Sequence, residues 1–287
     1  MDVAEARTAQ LVHVDVPGVD EKLAGAWYAP AAETDVALLH LHGKGGNFYM
    51  GPGLFLPQLD GAGEFAQLSL NMRCHDLGYT RYDLPMPDVS QGVIAMGGGM
   101  WERMTDGVPD VLAGVRWLQA RGYTKVFLVG HSSGAYYAAE ACAAQPEGVA
   151  GAVLLSTVIS YKRNLATWFP GDGLDAAVAQ ARAWSEAGEG HRLLPIDAWY
   201  YAISADSLLE RLEEPDGIFA RMLEATSVPV MFGAGEQESR VPQWRGLHDA
   251  MDTDRKHWLV LSGVSHDYTG AEPELAGEVF GFVRRWS

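Results

Sequence analysis

Residues 125–145 of this chain have the sequence KVFLVGHSSGAYYAAEACAAQ, and this stretch is the most informative part of the protein. The apolar run KVFLV is typical of a buried strand, and the Ala-rich run after GHSSG is typical of a packed helix. Small residues on either side of Ser132, namely Gly130, Gly134 and Ala135, allow the strand and the helix to pass closely. The pattern predicts a sharp strand–turn–helix unit with Ser132 at its apex.

This turn is a candidate nucleophile site. In a nucleophile elbow with the spacing G-x-S-x-G, a strained turn projects a serine hydroxyl above the sheet. The following helix directs its first amide groups and the positive end of its dipole at the same place. The pattern alone is weak, and the alternative is a tight structural turn with an ordinary serine. Ser133 competes with Ser132, but the frame of the motif selects Ser132.

The rest of the chain alternates short apolar runs with longer amphipathic ones, which is typical of βα units around a mostly parallel sheet. The first two strands are expected to be antiparallel, and residues 71–100 are expected to be irregular. The predicted strands cover 11–16, 23–29, 36–42, 65–71, 125–130, 151–156, 228–236 and 257–263. The predicted helices around them cover 101–120, 132–145, 241–251 and 273–286.

Residues 157–225 interrupt this alternation and predict a helical insertion rather than a separate domain. One helix is predicted at 173–187, and a second at 204–213 has Ser204 as its N-cap. The insertion is rich in aromatic residues, which either line an apolar pocket or pack the insertion against the core. They are Trp168, Phe169, Trp184, Trp199, Tyr200 and Tyr201.

Together these features resemble the α/β-hydrolase superfamily, from about Leu11 to Trp286. The resemblance implies an α/β fold with a mostly parallel, eight-stranded sheet flanked by helices. It also implies one domain over residues 1–287, with a helical cap at 157–225 inserted after the sixth strand. A serine–acid–histidine triad in that chain order is expected, and small bacterial esterase-like hydrolases are the nearest in pattern.

The resemblance gives a role to the loop HGKGGN, which begins at His42. In this superfamily the loop supplies part of the oxyanion hole, where N–H groups stabilise the negative charge of the tetrahedral intermediate. The implied donors are the backbone amides of Lys44 and Ser133. A phosphate loop is a weaker interpretation, because GKGG lacks the GxxxxGK[ST] spacing. A metal site at His40 and His42 is equally weak, because no nearby carboxylate or cysteine completes a ligand set.

Four aromatic residues are candidate substrate contacts. Phe48 and Tyr49 follow the oxyanion loop, whereas Trp199 and Tyr200 belong to the predicted cap. Caps of this superfamily cover the serine, so these side chains are expected to shape the pocket.

The base and the acid of the triad are expected in the loops after the last two strands. His266 follows the last strand, and the other histidines lie on strands, on a helix, in the other motifs or in the wrong chain order. The family pattern Gly-Glu-x-Asp-x-x-Val-Pro aligns with GEQESRVP at 235–242, which puts Glu238 at the aspartate position. Glutamate departs from that pattern, although the fold accepts either acid. Glu236 is the rival acid, and Asp267 is adjacent to the base.

Composition argues against several other classes of protein. The chain has 287 residues and a formal net charge of −16, so neither nucleic acid nor an anionic membrane surface is an expected partner. The N-terminus lacks a signal-peptide pattern, and no stretch approaches the ~20 apolar residues that cross a bilayer. The only two cysteines, Cys74 and Cys142, are expected to be reduced thiols. We therefore expect a cytoplasmic protein.

The resulting hypothesis is a serine hydrolase without cofactor or metal. It would cleave a small-molecule ester, thioester or lactone through an acyl-enzyme on Ser132. The same triad can transfer the acyl group or cleave amide or C–C bonds, so an acyltransferase is the first alternative. A non-catalytic ligand-binding protein is an alternative of another class. The sequence leaves open the acyl group, the leaving group and whether the chain forms a homodimer.

Overall fold

The computed structural model describes residues 7–83, 93–196 and 201–287. Its strands are β1 Gln10–Asp15, β2 Lys22–Tyr28, β3 Val36–Leu41, β4 Ala66–Leu70, β5 Tyr79–Asp83, β6 Val93–Gly97, β7 Lys125–His131, β8 Val149–Leu155, β9 Leu193–Ile196, β10 Tyr201–Ser204, β11 Val230–Gly235 and β12 Lys256–Leu261. The central sheet has eight strands in the order β1-β2-β4-β3-β7-β8-β11-β12. These are the eight strands predicted from the sequence, and this prediction is confirmed.

The helices are α1 Pro52–Phe55, α2 Met104–Gln119, α3 Ser133–Ala143, α4 Tyr161–Trp168, α5 Gly173–Glu186, α6 Ala205–Leu212, α7 Ile218–Ala225, α8 Val241–Ala250 and α9 Glu272–Trp286. They cover both faces of the sheet. Val111 of α2 and Ala135 of α3 belong to the core cluster on one face, while Val279 and Phe280 of α9 belong to the cluster on the other.

Burial on both faces explains why the sheet was predictable. β2 pairs antiparallel with β1 and β4, whereas the pairs from β4 through β3, β7, β8 and β11 to β12 are parallel. All six residues of β3 are buried, which is why its sequence is an almost continuous apolar run. Parallel strands end at one edge of the sheet, so the loops after β3, β7, β11 and β12 meet there.

Two short hairpins differ from the expectations. β5 pairs antiparallel with β6 inside the stretch that was expected to be irregular. β9 pairs antiparallel with β10 inside the insertion that was expected to be helical. Strands of four or five residues contain too few apolar positions for their periodicity to stand out from loop sequence.

The insertion after β8, the sixth strand of the central sheet, has a small core of its own. Leu165 of α4, Ala181 of α5, Ile203 of β10 and Leu208 of α6 share one buried cluster. The predicted helix N-cap is present, because Ser204 Oγ accepts a hydrogen bond from the amide of Ser207 at 3.2 Å.

The final helix of the predicted insertion, α7, packs differently. Phe219 lies with its ring 6.0 Å from that of Tyr136 on α3, and it belongs to the core of the central sheet. Thus α4 to α6 form the layer over the sheet edge, while α7 returns the chain to the main core.

Two further findings concern the whole described region. None of its helices is both long enough and apolar enough to span a lipid bilayer. Cys74 and Cys142 are buried, and both are free thiols.

Candidate active site

Ser132 sits in a strained turn between β7 and α3. Its backbone has φ 55° and ψ −115°, a conformation that costs a non-glycine residue about 1–3 kcal/mol. Two neighbouring positions must be glycine, because the backbone segments around the turn approach too closely for a side chain. A Cβ added to Gly130 would lie 2.4 Å from the carbonyl oxygen of Gly134, and one added to Gly134 would lie 2.3 Å from that of Leu41. The sequence therefore holds Ser132 at the tip of a sharp turn at the sheet edge.

His266 and Glu238 lie beside this turn. The Nδ1 atom of His266 is 2.8 Å from Glu238 Oε2. Because the carboxylate accepts a hydrogen bond from Nδ1–H, the Nε2 atom of the same ring is left as the proton acceptor. Ser132 and His266 line the same two pockets, and the His266 side chain is 46% exposed. Solvent therefore reaches the imidazole that would act as base.

Glu238 is held as an ionised carboxylate. Its Oε1 accepts hydrogen bonds from Ser156 Oγ and from the amide of Gly235, the latter at 3.1 Å. Burial alone would raise the pKa of Glu238, but the hydrogen bonds from His266 and Ser156 outweigh burial and lower this pKa below its usual value. The group is therefore negatively charged at neutral pH, as orienting an imidazole requires.

Ser156 and Tyr268 were not singled out in the sequence. Ser156 Oγ lies 2.8 Å from Tyr268 OH, and that hydroxyl donates to the carbonyl oxygen of Gly233 at 2.9 Å. The only signal for Ser156 was its place at the carboxyl end of a predicted strand. The network braces the carboxylate of Glu238 from the side opposite His266.

The two other candidate acids, Glu236 and Asp267, make contacts different from those of Glu238. Glu236 Oε2 accepts hydrogen bonds from Ser262 Oγ at 2.7 Å and from the amide of Gly263 at 2.9 Å. It therefore stabilises the loop after β12 rather than the imidazole. Asp267 lines the larger of the two pockets next to His266.

The loop predicted to form the oxyanion hole is packed against Ser132. A Cβ added to Gly43 would lie 3.0 Å from Ser132 Cβ, so a larger residue there would push against the Ser132 turn. His42 fixes the loop, because its Nδ1–H donates to the Gly43 carbonyl at 2.8 Å and its Nε2 accepts from the amide of Met72 at 3.0 Å. Burial lowers the pKa of His42 to about 4, so the ring is neutral. Lys44 and Ser133 line a pocket with Ser132.

His131, which precedes Ser132, positions the loop of His266. Its Nε2–H donates to the backbone carbonyl of His266 at 2.9 Å. Burial lowers the pKa of His131 to about 4, so it is not a competing base at neutral pH. Sequence inspection had placed it in the elbow without giving it this function.

Two pockets meet at Ser132 and His266. The smaller has a volume of about 330 Å³ and lies between the cap and α8, where Tyr161, Trp168 and Trp244 line it. The larger has a volume of about 540 Å³ and lies along the oxyanion loop. Apolar side chains of that second pocket are Met50, Leu77 and Tyr201.

Two of the four predicted substrate contacts, Phe48 and Tyr49, lie within the described residues. Phe48 and Tyr49 pack edge to face on each other, with ring centroids 5.2 Å apart, and neither lines these two pockets. Trp199 and Tyr200 lie outside the described residues, so their roles remain predictions. Tyr161 and Trp168, both on α4, are aromatic residues of the insertion that line the smaller pocket.

A buried ion network connects the loop after β3 to α6. Lys44 Nζ donates to Glu102 Oε2 at 2.8 Å and to the carbonyl of Gly99 at 2.6 Å. The same carboxylate pairs with Arg211 on α6, and its other oxygen accepts from Tyr137 OH at 2.8 Å. Burial would raise the pKa of Glu102, but Lys44 and Arg211 together outweigh it and lower the pKa to about 2.

Removing that carboxylate should destabilise the fold. Glu102→Gln leaves the ammonium of Lys44 and the guanidinium of Arg211 buried together without an anion, which is expected to cost about 3–5 kcal/mol of unfolding free energy. Urea unfolding at pH 7 measures the change. The control is Glu64→Gln, whose exposed pair with Arg284 should contribute about 0–1 kcal/mol. Equal losses in the two variants would contradict the proposed role of the network.

The same network predicts an acid-sensitive stability. The pKa of Glu102 is lowered in the folded state. Ionised Glu102 therefore contributes fully to the free energy of unfolding above the ordinary glutamate pKa of about 4.3. This contribution is lost as the pH falls from there towards about 2. In Glu102→Gln this part of the acid dependence should be missing.

Across residues 7–83, 93–196 and 201–287, no three His, Cys, Asp or Glu side chains are arranged to hold a metal ion.

Comparisons with known proteins agree with this architecture. A family model described as serine aminopeptidase, S33, matches residues 91–186, which include the elbow. No curated protein is similar enough in sequence to match the chain. Among solved structures, Est1E from Butyrivibrio proteoclasticus has a TM-score of 0.69 at 15% identity, covering 96% of this chain and 98% of that one.

Two further structures show the same likeness. The Pyrococcus furiosus esterase PF2001 has a TM-score of 0.62 at 16% identity, covering 98% of this chain and 92% of its own. The hypothetical protein PA2218 from Pseudomonas aeruginosa has a TM-score of 0.73 at 14% identity, covering 100% and 96%. Likeness at such low identity concerns the fold, and the resemblance predicted from the sequence is confirmed: the chain has the α/β-hydrolase fold.

Proposed function

We propose that this protein is a serine hydrolase that cleaves a carboxylic ester, thioester or lactone through an acyl-enzyme on Ser132. The observation that carries the proposal is the 2.8 Å contact between His266 Nδ1 and Glu238 Oε2 beside the strained turn of Ser132. A mostly buried acid, an oriented imidazole and a partly exposed serine are the parts that nucleophilic acyl transfer needs. The esterases among the similar structures support this choice of reaction.

The reaction follows from these positions. Ser132 Oγ attacks the substrate carbonyl while His266 Nε2 takes its proton, and Glu238 stabilises the imidazolium that forms. The amides of Lys44 and Ser133 stabilise the oxyanion. His266 then protonates the leaving oxygen or sulfur, and the acyl group remains on Ser132. A water molecule, deprotonated by His266, releases the acid and restores the serine.

Two features of the site favour hydrolysis of a small substrate. The pockets on either side of Ser132 have volumes of about 330 Å³ and 540 Å³, enough for the two halves of a small ester. The exposed imidazole of His266 allows water to reach the acyl-enzyme, which favours hydrolysis over transfer to another acceptor.

Labelling and turnover test the proposal together. A fluorophosphonate should label the native protein at Ser132, because only an activated serine reacts, and heat-unfolded protein is the control. A series of p-nitrophenyl esters should be hydrolysed, with short and medium acyl chains preferred because both pockets are small. Faster p-nitrophenol release with an added alcohol or amine would indicate acyl transfer instead. If the native protein neither reacts with the probe nor cleaves any ester, the proposed function is wrong.

A further inference from the structure

Arg240 is a half-buried cation in the wall of the smaller pocket. It is the last residue before α8, and it lines this pocket together with Ser132 and His266. Its Nη2 donates to Asn164 Oδ1, on α4 of the cap, at 2.8 Å. In the part of the chain that the structure describes, no carboxylate pairs with this guanidinium. By contrast, the more buried Arg211 is paired with Glu102.

The other charged groups of the pocket are already engaged by partners. Lys44 shares the carboxylate of Glu102 with Arg211. Glu238 uses both oxygens on His266, Ser156 and the amide of Gly235. Arg240 therefore offers guanidinium donors that no carboxylate of the described residues accepts, within a chain whose formal net charge is −16. A local cation in an acidic protein selects for an anion at that position.

We infer that the substrate carries a carboxylate, which Arg240 and Asn164 bind while Ser132 attacks the ester; this inference rests on the proposed function. The planar guanidinium can hold a carboxylate with two parallel hydrogen bonds, and only one of its donors is directed to Asn164. Asn164 Nδ2 has no hydrogen-bond partner among the described residues and can act as a further donor. A volume of about 330 Å³ limits the spacer between carboxylate and scissile bond to a short chain.

The probes are matched esters that differ only in charge. On the acyl side they are mono-p-nitrophenyl adipate and the p-nitrophenyl ester of adipamic acid, in which an uncharged amide replaces the carboxylate. On the leaving-group side they are 3-carboxyphenyl acetate and 3-carbamoylphenyl acetate. In at least one pair, the anionic member should have a kcat/KM about 10- to 100-fold higher, since hydrogen bonds between charged groups are the strong ones. The pair that shows the preference identifies which half of the substrate occupies the pocket.

Variants then assign the preference to the guanidinium. The preference is the kcat/KM of the anionic ester divided by that of its amide counterpart. In Arg240→Gln this ratio should fall by about 10- to 100-fold, mainly because the KM of the anionic ester rises. Arg240→Lys should restore part of the preference. The control is Arg245→Gln, because Arg245 is on the same helix but pairs at 2.9 Å with the exposed Asp249. Its ratio should equal that of the wild type.

The results separate this inference from the proposed function. If wild-type protein is labelled at Ser132 and cleaves charged and amide esters equally well, the serine hydrolase stands and the carboxylate inference is wrong. If Arg240→Gln lowers both members of a pair equally, Arg240 only positions the nearby Glu238, and the inference is again wrong. If no ester is cleaved and no serine is labelled, the proposed function itself fails.

Discussion

Replacing Ser132 by alanine is expected to lower kcat for an activated ester by roughly 10⁶-fold, the loss seen when a triad nucleophile is removed. Labelling by a fluorophosphonate should disappear at the same time. The fold should be unaffected, because the turn is set by the close contacts of Gly130 and Gly134 and not by the hydroxyl group. Burst kinetics, intact-protein mass spectrometry and urea unfolding measure these three outcomes.

Ser133→Ala is the matched control for this variant. The two serines are adjacent, but the predicted contribution of Ser133 is its backbone amide, which alanine retains. Its activity should fall by less than about tenfold. If the label appears on Ser133 in the wild type, or if Ser132→Ala still forms an acyl-enzyme, the assignment of the nucleophile is wrong.

The elements that could be predicted from the sequence are those whose packing restricts several consecutive residues. A strand such as β3, buried on both faces, must be apolar throughout, and a turn as tight as that at Ser132 must have small neighbours. Both requirements act on consecutive residues, so they leave patterns in the sequence. The alignment of Glu238 depended on matching GEQESRVP to the family pattern Gly-Glu-x-Asp-x-x-Val-Pro rather than on local chemistry, and Glu238 lies 2.8 Å from His266 in the structure.

The parts that could not be predicted depend on contacts between distant segments. Ser156 and Tyr268 lie 112 residues apart in the sequence, and Arg211 reaches Glu102 across 109 residues. None of these side chains stands out in its local sequence, because its role depends on a hydrogen-bond partner that only the folded structure brings close. His131 is similar: its hydrogen bond to the His266 carbonyl spans 135 residues. The support for the triad is therefore less visible in the sequence than the triad itself.

Glu238→Gln is expected to lower kcat by about 10²- to 10⁴-fold while KM changes little. Glutamine keeps the size of the side chain but loses the negative charge that stabilises the imidazolium. Its amide can also donate to Nδ1, which would place the proton on Nε2 and leave His266 unable to accept from Ser132.

Glu236→Gln is the matched control, since the residue is two positions away and its hydrogen bonds serve the loop at Ser262 and Gly263. It should cost less than about tenfold, because the loop amide can still be satisfied by the glutamine oxygen. Both variants are measured with the same p-nitrophenyl ester and checked for folding by urea unfolding. If Glu236→Gln is the crippled enzyme and Glu238→Gln is nearly normal, the acid has been misassigned by two residues. If neither variant matters, the carboxylate beside His266 has a structural role only, and the chemistry on Ser132 requires another acid.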